Sequence, residues 1–357
     1  MTLAFEQRLA GERILVTGHT GFTGGWLTAW LAAIGAEVHG LALAPEGSPN
    51  LFEAARIGEI ARHRVVDIRF TDEVRRYVGE VRPTVLIHLA AQPLVRRSYR
   101  EPVETFATNV MGTANVLEAA RACGVRAAVV ITTDKVYRNR EWDQAYCEVD
   151  ELGGKDPYSA SKACAELVAA SFQASFGSGG PAIATARGGN IVGGGDWSED
   201  RLIPDFVRAT LAGQPMVLRN PNATRPWQHV LSLCHGYLML AAGLLDRPGL
   251  HVGGWNLGPS VDDVVPVARV VEILSRKWRA PGIRVEPSNL AEAQLLALDS
   301  TKAREKLNWC PPWPLEKVLD RTAEWYRDFH DGHADARVLL DRQIAEYRNA
   351  IDKVGAC

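Results

Sequence analysis

The chain has 357 residues, 46% hydrophobic and 23% charged, enough for one large or two ordinary domains with a substantial core. Its 40 basic and 42 acidic residues leave a net charge of −2, which gives no general pull toward nucleic acid or an anionic membrane. No run is long enough to span a bilayer, and Met1 to Gly11 carries charges of both signs without an apolar segment, so neither a membrane helix nor a signal peptide is expected and a cytoplasmic protein is.

Arg13-Ile14-Leu15-Val16-Thr17 predicts a strand. Gly18-His19-Thr20-Gly21-Phe22-Thr23-Gly24-Gly25 follows, then a helix from Trp26 to Ile34. Gly18, Gly21 and Gly24 have the spacing G-x-x-G-x-x-G. Glycine permits a tight turn and lets backbone N–H groups approach a pyrophosphate at a helix N-terminus. Strand, loop and helix together point to a dinucleotide cradle; the plain alternative is an ordinary strand-to-helix turn. Glu37 to Leu43 is the second predicted strand. An NAD-binding unit often ends this strand with an acid for the ribose hydroxyls. Here Ala44-Pro45 follows, with neither that acid nor an arginine for a 2′-phosphate. Val65-Val66-Asp67-Ile68 predicts a third strand, with Asp67 either meeting an adenine amino group or capping the surface. Val85 to Ala91 predicts a fourth, in which Ala90 and Ala91 leave room for a flat ring and His88 is a packed core histidine rather than a catalyst. Asn109 to Ala122 predicts a helix.

Ala127-Ala128-Val129-Val130-Ile131 is a continuous apolar run, the pattern of a strand covered on both faces. Five strand–helix alternations to this point argue a doubly wound α/β domain. Thr132-Thr133-Asp134-Lys135 then stands at the carboxyl end of that strand, where ligands collect in open α/β sheets. In Asp156-Pro157-Tyr158-Ser159-Ala160-Ser161-Lys162, Tyr158 and Lys162 are four apart, so a helix puts them on one face. An ammonium beside a phenol favours the phenolate, a usable base, and Thr133 is placed to hold a substrate oxygen against it. Thr-Thr at a strand end and Tyr-x-x-x-Lys on a helix also have plainer readings, as a strand end and a solvated face. The glycine loop is what raises the chemical one.

After Ala182-Ile183-Ala184-Thr185-Ala186, the stretch from Arg187 to Asp200 holds a glycine cluster, Asn190 and Asp196-Trp197, and Arg201-Leu202-Ile203-Pro204 opens a short helix. Arg219-Asn220-Pro221-Asn222 and Thr224-Arg225-Pro226-Trp227-Gln228-His229-Val230 follow. Arginines and tryptophans in this mix hold phosphates and stack bases, unless they are only solvated loop residues. A smaller mixed region runs to about Trp325, and Val338 to Ile351 predicts an amphipathic terminal helix. The cysteines (Cys123, Cys147, Cys164, Cys234, Cys310, Cys357) form no C-x-x-C pair. Buried reduced thiols are expected, rather than a disulfide framework, and no metal site.

With Gly18-x-x-Gly21-x-x-Gly24, Asp67, Asn109, Thr133 and Tyr158-x-x-x-Lys162 in order, nearly the whole chain resembles the extended short-chain dehydrogenases/reductases. His88-Leu-Ala-Ala-Gln92-Pro-Leu-Val95, Thr132-Thr-Asp-Lys135, Asp156-Pro-Tyr-Ser-Ala-Ser-Lys162, Gly193-Gly-Gly-Asp-Trp197 and Arg225-Pro-Trp-Gln-His-Val230 narrow the resemblance to the CDP-glucose 4,6-dehydratase family. One departure is Leu231-Ser232-Leu233-Cys234, where the family more usually has Asp-Pro-Leu-Ser. The resemblance implies a Rossmann-type parallel sheet (1–188 and 228–256) that binds NAD, with a smaller mixed α/β nucleotide-sugar domain (189–227 and 257–357). It assigns NAD contacts to Gly18, His19, Thr20, Gly21, Phe22, Thr23, Gly24, Asp67, Ile68, Leu89, Ala90, Ala91, Asn109, Thr132, Tyr158 and Lys162.

Tyr158 would take the proton of the sugar 4-hydroxyl, assisted by Lys162 and Thr133. Asp134 and Lys135 would be the acid and base of water loss across C5 and C6, where dTDP-sugar relatives have Asp-Glu. Lys135 otherwise forms an ion pair or stabilises an enolate as a cation. Gln92, Pro93, Leu94 and Val95 would lie near the hexose; Asn190, Arg201, Leu202, Arg219, Arg225 and His229 would hold the rest of a CDP-hexose. Subunits would pair through the helices bearing Asn109 and Tyr158, as a homodimer or dimer of dimers. The nearest rival is an epimerase or a dehydratase for a dTDP-, GDP- or UDP-hexose. An epimerase has no use for Asp134-Lys135, and a silent NAD-binding regulator would be expected to lose Tyr158.

Overall fold

A computed structural model describes residues 3–278, 282–286 and 295–354. Its strands, in chain order, are β1 (Arg13–Thr17), β2 (Glu37–Ala42), β3 (Arg62–Val65), β4 (Val85–His88), β5 (Ala127–Ile131), β6 (Ala182–Gly188), β7 (Asn190–Val192), β8 (Met216–Leu218), β9 (Thr224–His229), β10 (Gly253–Leu257), β11 (Val264–Pro266) and β12 (Ile283–Val285). Seven of them make one parallel sheet in the order β10-β6-β5-β4-β1-β2-β3. β11, β9 and β7 make a second sheet, and β12 pairs with β8.

The apolar strands are continuous because both faces of the large sheet are covered. Ile14, Val16, Val85, Ile87 and Val129 join a core on one face with Trp26, Trp30 and the Val230–Asp246 helix. Leu15 and Leu86 join a core on the other face with Val74 and Val78 of the Thr71–Val81 helix and Val116 of the Gly112–Ala122 helix. Successive residues of a strand point to opposite faces, so each must find its own core. The strand order reverses beside β1, where Thr17 pairs with His88 of β4. His88 is buried between Thr17 Oγ1 (2.7 Å) and Thr113 Oγ1 (3.1 Å), and burial pushes it down to about 3, as suits a core histidine.

Trp26 and Trp30, one turn apart on the Phe22–Ala33 helix, fix that helix at two points. Trp26 Nε1 donates to Gly194 O (3.0 Å) and Trp30 Nε1 to Glu6 Oε1 (2.8 Å). Glu6 also receives Arg348 Nε and NH2, both at 2.7 Å, from the Ala336–Val354 helix.

Several boundaries differ from expectation. The third strand is Arg62–Val65, not Val65 to Ile68. It lies at the sheet edge with all four side chains exposed, so apolar patterning could not locate it. The fourth strand stops at His88 and the second at Ala42, while β6 runs on to Gly188 and takes in Arg187. The first long helix begins at Phe22, four residues before Trp26. The helix expected from Asn109 begins at Pro102 and passes through a π-turn at Ala107–Met111. Cys123, Cys147 and Cys164 are free but partly exposed; among the described residues only Cys234 is a buried free thiol, and Cys310 is disulfide-bonded rather than reduced. Cys357 lies outside the described residues.

Candidate active site

The loops after β1, β4, β5 and β6 line one cleft of about 1360 Å³ at the carboxyl end of the sheet, a volume that suits a dinucleotide with a second ligand. Its floor at one end is the glycine loop. Gly18 has φ +76°, and a Cβ there would lie 2.7 Å from Ala90 N. A Cβ on Gly24 would overlap the Gly18 carbonyl oxygen and sit 2.7 Å from His19 Cα. The loop is therefore a backbone cradle that side chains would fill. The Phe22–Ala33 helix starts above it with no side-chain cap on its first N–H groups, the arrangement that receives a pyrophosphate.

Thr20, Gly21, Phe22, Thr23, Asp67, Ile68, Leu89, Ala90 and Ala91 all line the cleft. His19 does not. Its ring packs beneath the loop against Phe52 and His63 (centroids 5.6 and 5.3 Å), where Gly40 leaves it room, and burial pushes it down to about 4. The Asp67 carboxylate binds Arg69 Nε at 2.9 and 3.0 Å and is held below its usual range by that guanidinium. Arg69 pairs with Glu104 as well, so both of its flanks carry a carboxylate. Leu43, Ala44 and Pro45 form the wall after β2. This stretch carries no cation of its own for a 2′-phosphate, and the neighbouring Arg97 is held by Glu46 (3.1 Å) and Glu101 (2.8 Å), so NAD will bind more tightly than NADP; fluorescence titration of the apo-protein with each will show it, and tighter NADP binding would refute it.

The second cluster follows β5. Ile131, Thr132, Thr133 and Lys135 face the cleft, as do Tyr158 and Lys162 from the Pro157–Phe176 helix. Asp156 starts that helix by accepting Ser159 N at 2.9 Å, which fixes where Tyr158 begins its turn. Lys162 Nζ donates to Ile131 O at 2.7 Å, and burial lowers it to about 8. Burial pushes the Tyr158 phenol up to about 12, with the Thr133 hydroxyl pulling the other way. Desolvation outweighs the stabilising contacts at this phenol before any ligand is bound. Asp134 is fully buried behind the wall rather than on it. Its Oδ1 accepts Thr133 Oγ1 at 2.9 Å and Lys135 Nζ at 2.8 Å, and Lys135 Nζ also reaches Asn190 Oδ1 at 3.4 Å.

Gln92, Pro93, Leu94, Val95, Asn190, Arg201, Leu202 and Arg225 line the remaining wall. Asn109 does not reach the cleft. It accepts Gln92 N (2.8 Å) and donates to Gln92 O (3.1 Å) and Ser161 Oγ (2.9 Å), tying the β4 loop to the Tyr158 helix. Arg219 turns to Asp200 (2.6 Å) instead of the cleft. His229 is a fully buried cap: its Nδ1 accepts Leu231 N (3.2 Å) and its ring meets Trp26 and Trp313 edge-on. Sequence reasoning missed Arg96, Arg208, Trp197 and Trp227, which do line the cleft. Arg96 directly follows Val95, and both tryptophans lie in stretches already singled out, so the signal was adjacency to assigned residues.

Residues 14–251 match the NAD dependent epimerase/dehydratase family, and the chain belongs to it. The cofactor is NAD. Among curated proteins, the CDP-glucose 4,6-dehydratase of Salmonella typhimurium is 42% identical over 349 residues, 95% of this chain and 97% of that protein. Among solved structures, DesIV, the dTDP-glucose 4,6-dehydratase of Streptomyces venezuelae with NAD bound, superposes with a TM-score of 0.79 at 26% identity, over 90% of this chain and 98% of that one. The UDP-glucose 4-epimerase of Thermus thermophilus in complex with NAD gives 0.77 at 26% identity, over 88% and 99%.

Proposed function

We propose that this protein is an NAD-dependent nucleotide-sugar 4,6-dehydratase that converts CDP-glucose to CDP-4-keto-6-deoxyglucose and water. The observation that carries the reading is the sequence of functional groups at the end of β5. Thr133 and Lys135 line the same cleft as Tyr158 and Lys162, and Asp134, just behind that wall, is bonded to both Thr133 and Lys135. An epimerase needs only the oxidation groups. The extra acid and amine fit an elimination, and the relative sharing 42% of its residues is a CDP-glucose 4,6-dehydratase.

NAD, held over the loop at residues 18–24, would supply the acceptor for the C4 hydride and the donor of that hydride to C6. Tyr158 takes the proton of the 4-hydroxyl, and Thr133 donates to the same oxygen once its hydroxyl turns away from Asp134 Oδ1. The Lys162 ammonium, held at the Ile131 carbonyl one turn from Tyr158, favours the phenolate as it forms. The 4-keto group acidifies the C5 hydrogen. Once a proton has passed from the Lys135 ammonium to Asp134 across their 2.8 Å contact, the neutral Lys135 amine removes the C5 proton and the Asp134 carboxyl protonates the departing C6 hydroxyl. This last role requires the Asp134 carboxyl to rotate out from behind Thr133 and Lys135.

The 2.8 Å ion pair favours a second reading, in which a charged Lys135 stabilises the enolate without taking the proton. Lys135→Met decides in single-turnover kinetics. If Lys135 is the base, NADH absorbance will appear and persist with little solvent deuterium entering C5; normal elimination and wash-in would exclude it. Turnover of CDP-, dTDP-, GDP- and UDP-glucose in parallel tests the substrate, with CDP-glucose expected to dominate.

The same reading assigns the NAD-binding domain to 1–188 with 228–256 and the sugar-binding domain to 189–227 with 257–357, in a cytoplasmic homodimer. Val103, Met111 and Leu167 are exposed by 82%, 58% and 59% on the two helix runs that would pair, and apolar faces of this kind mark subunit contacts.

A further inference from the structure

Glu166 lies one turn beyond Lys162 on the Pro157–Phe176 helix and is 3% exposed, with no part in the chemistry above. A carboxylate this buried persists only when it is paired and hydrogen-bonded. Thr132 Oγ1 donates to its Oε1 at 2.5 Å. Thr185 Oγ1 and Arg187 NH2 donate to its Oε2 at 2.6 and 2.8 Å. One helix side chain thus gathers donors from the end of β5 and from β6. Lys162, a turn earlier, grips Ile131 O, so the helix holds residues 131 and 132 in succession. Thr133 is the next residue.

We propose that Glu166 is a positioning residue, which clamps the strand end bearing Thr133 to the helix bearing Tyr158 and Lys162 and supplies the anion that keeps Lys162 an ammonium. The inference rests on the reading of Tyr158 and Lys162 as the oxidation site.

The charged and titratable groups around this pair are few. Lys162 faces Glu166 on its own helix and His88 of β4, which burial keeps neutral. Glu166 faces Arg187 of β6, whose NH1 continues to the Tyr137 hydroxyl at 2.8 Å. Burial lowers Lys162 to about 8, and the Glu166 charge opposes that fall. Without the charge, Lys162 gives up its proton at lower pH, so activity that needs the ammonium is lost earlier on the alkaline side.

The test uses the full chain labelled with ¹³Cε-lysine, with Lys162→Arg to assign the signal. Wild type is compared with Glu166→Gln and with Glu166→Gln/Arg187→Met, which removes both charges should an unpaired Arg187 prevent folding. The Lys162 midpoint is expected to fall by roughly 1 pH unit. The alkaline limb of kcat for CDP-glucose is expected to move with it, KM staying within about threefold. An unchanged midpoint in the folded variants, or lower activity with a stationary limb, would overturn the proposal. If wild type fails to turn over CDP-glucose, the substrate reading fails alone, and the carbon titration, which needs no substrate, still decides the role of Glu166.

Discussion

Replacing Tyr158 by Phe will lower kcat for CDP-glucose by about 10²–10⁴-fold, the usual loss when a general base is removed. Binding of the nucleotide sugar will stay near wild type. The substitution deletes one oxygen and keeps the ring. The backbone at this position is fixed independently, by the Tyr158 N–H to Ser98 Oγ at 3.2 Å and by the Asp156 cap. Stopped-flow absorbance of NADH separates the outcomes, since the variant will bind substrate without reducing NAD. Wild-type oxidation also carries a pH signature. The phenol is held up to about 12 without ligands, so the rate will rise with pH as the proton becomes easier to lose. It will turn down as Lys162, at about 8, loses its own. A Phe variant with near-normal turnover would show that the proton leaves by another route.

Gly24→Ala will weaken NAD binding while most of the fold survives. The added methyl has no flexible neighbour to displace, because it meets the Gly18 carbonyl and His19 Cα, both backbone. Either the helix start lifts or the loop opens, and both move the N–H groups that face the pyrophosphate. Overpacking of this kind costs typically about 1–3 kcal/mol, and taken from NAD binding that is roughly 5–150-fold in Kd. Isothermal titration with NAD, beside thermal unfolding of the apo-protein, tests it. Unchanged affinity would mean that the loop does not hold the dinucleotide.

The fold was legible where side chains carry the signal. β5 is five apolar residues because both its faces are buried, and a run with that composition has few other uses. β3 escapes such patterning for the opposite reason: its four residues are Arg-His-Arg-Val, exposed at an edge and paired through the backbone to β2. At the site, the residue types were legible and their directions were not. Thr133, Lys135, Tyr158 and Lys162 share the cleft because strand and helix periodicity places them there. His229 and Arg219 sit in polar stretches of the same character, yet one caps a buried helix and the other answers Asp200. No local pattern tells a ligand-facing arginine from one that faces an aspartate nineteen residues away. The partner is set by tertiary packing.

The π-turn at Ala107–Met111 gives the run from Pro102 to Ala122 one residue more than α geometry requires. In geometry it is equivalent to one residue inserted into an α-helix. Each α-helical residue turns about 100° around the axis, so removing one here would swing everything on one side of the deletion by that angle. The amide of Asn109 would then point away from Gln92 and Ser161, and the β4 loop would lose its tether to the Tyr158 helix. A relative with a straight helix at this place will align with a one-residue gap and must fasten that loop with some other side chain. The length of this helix, counted residue by residue, is therefore inherited along with the active-site wall it supports.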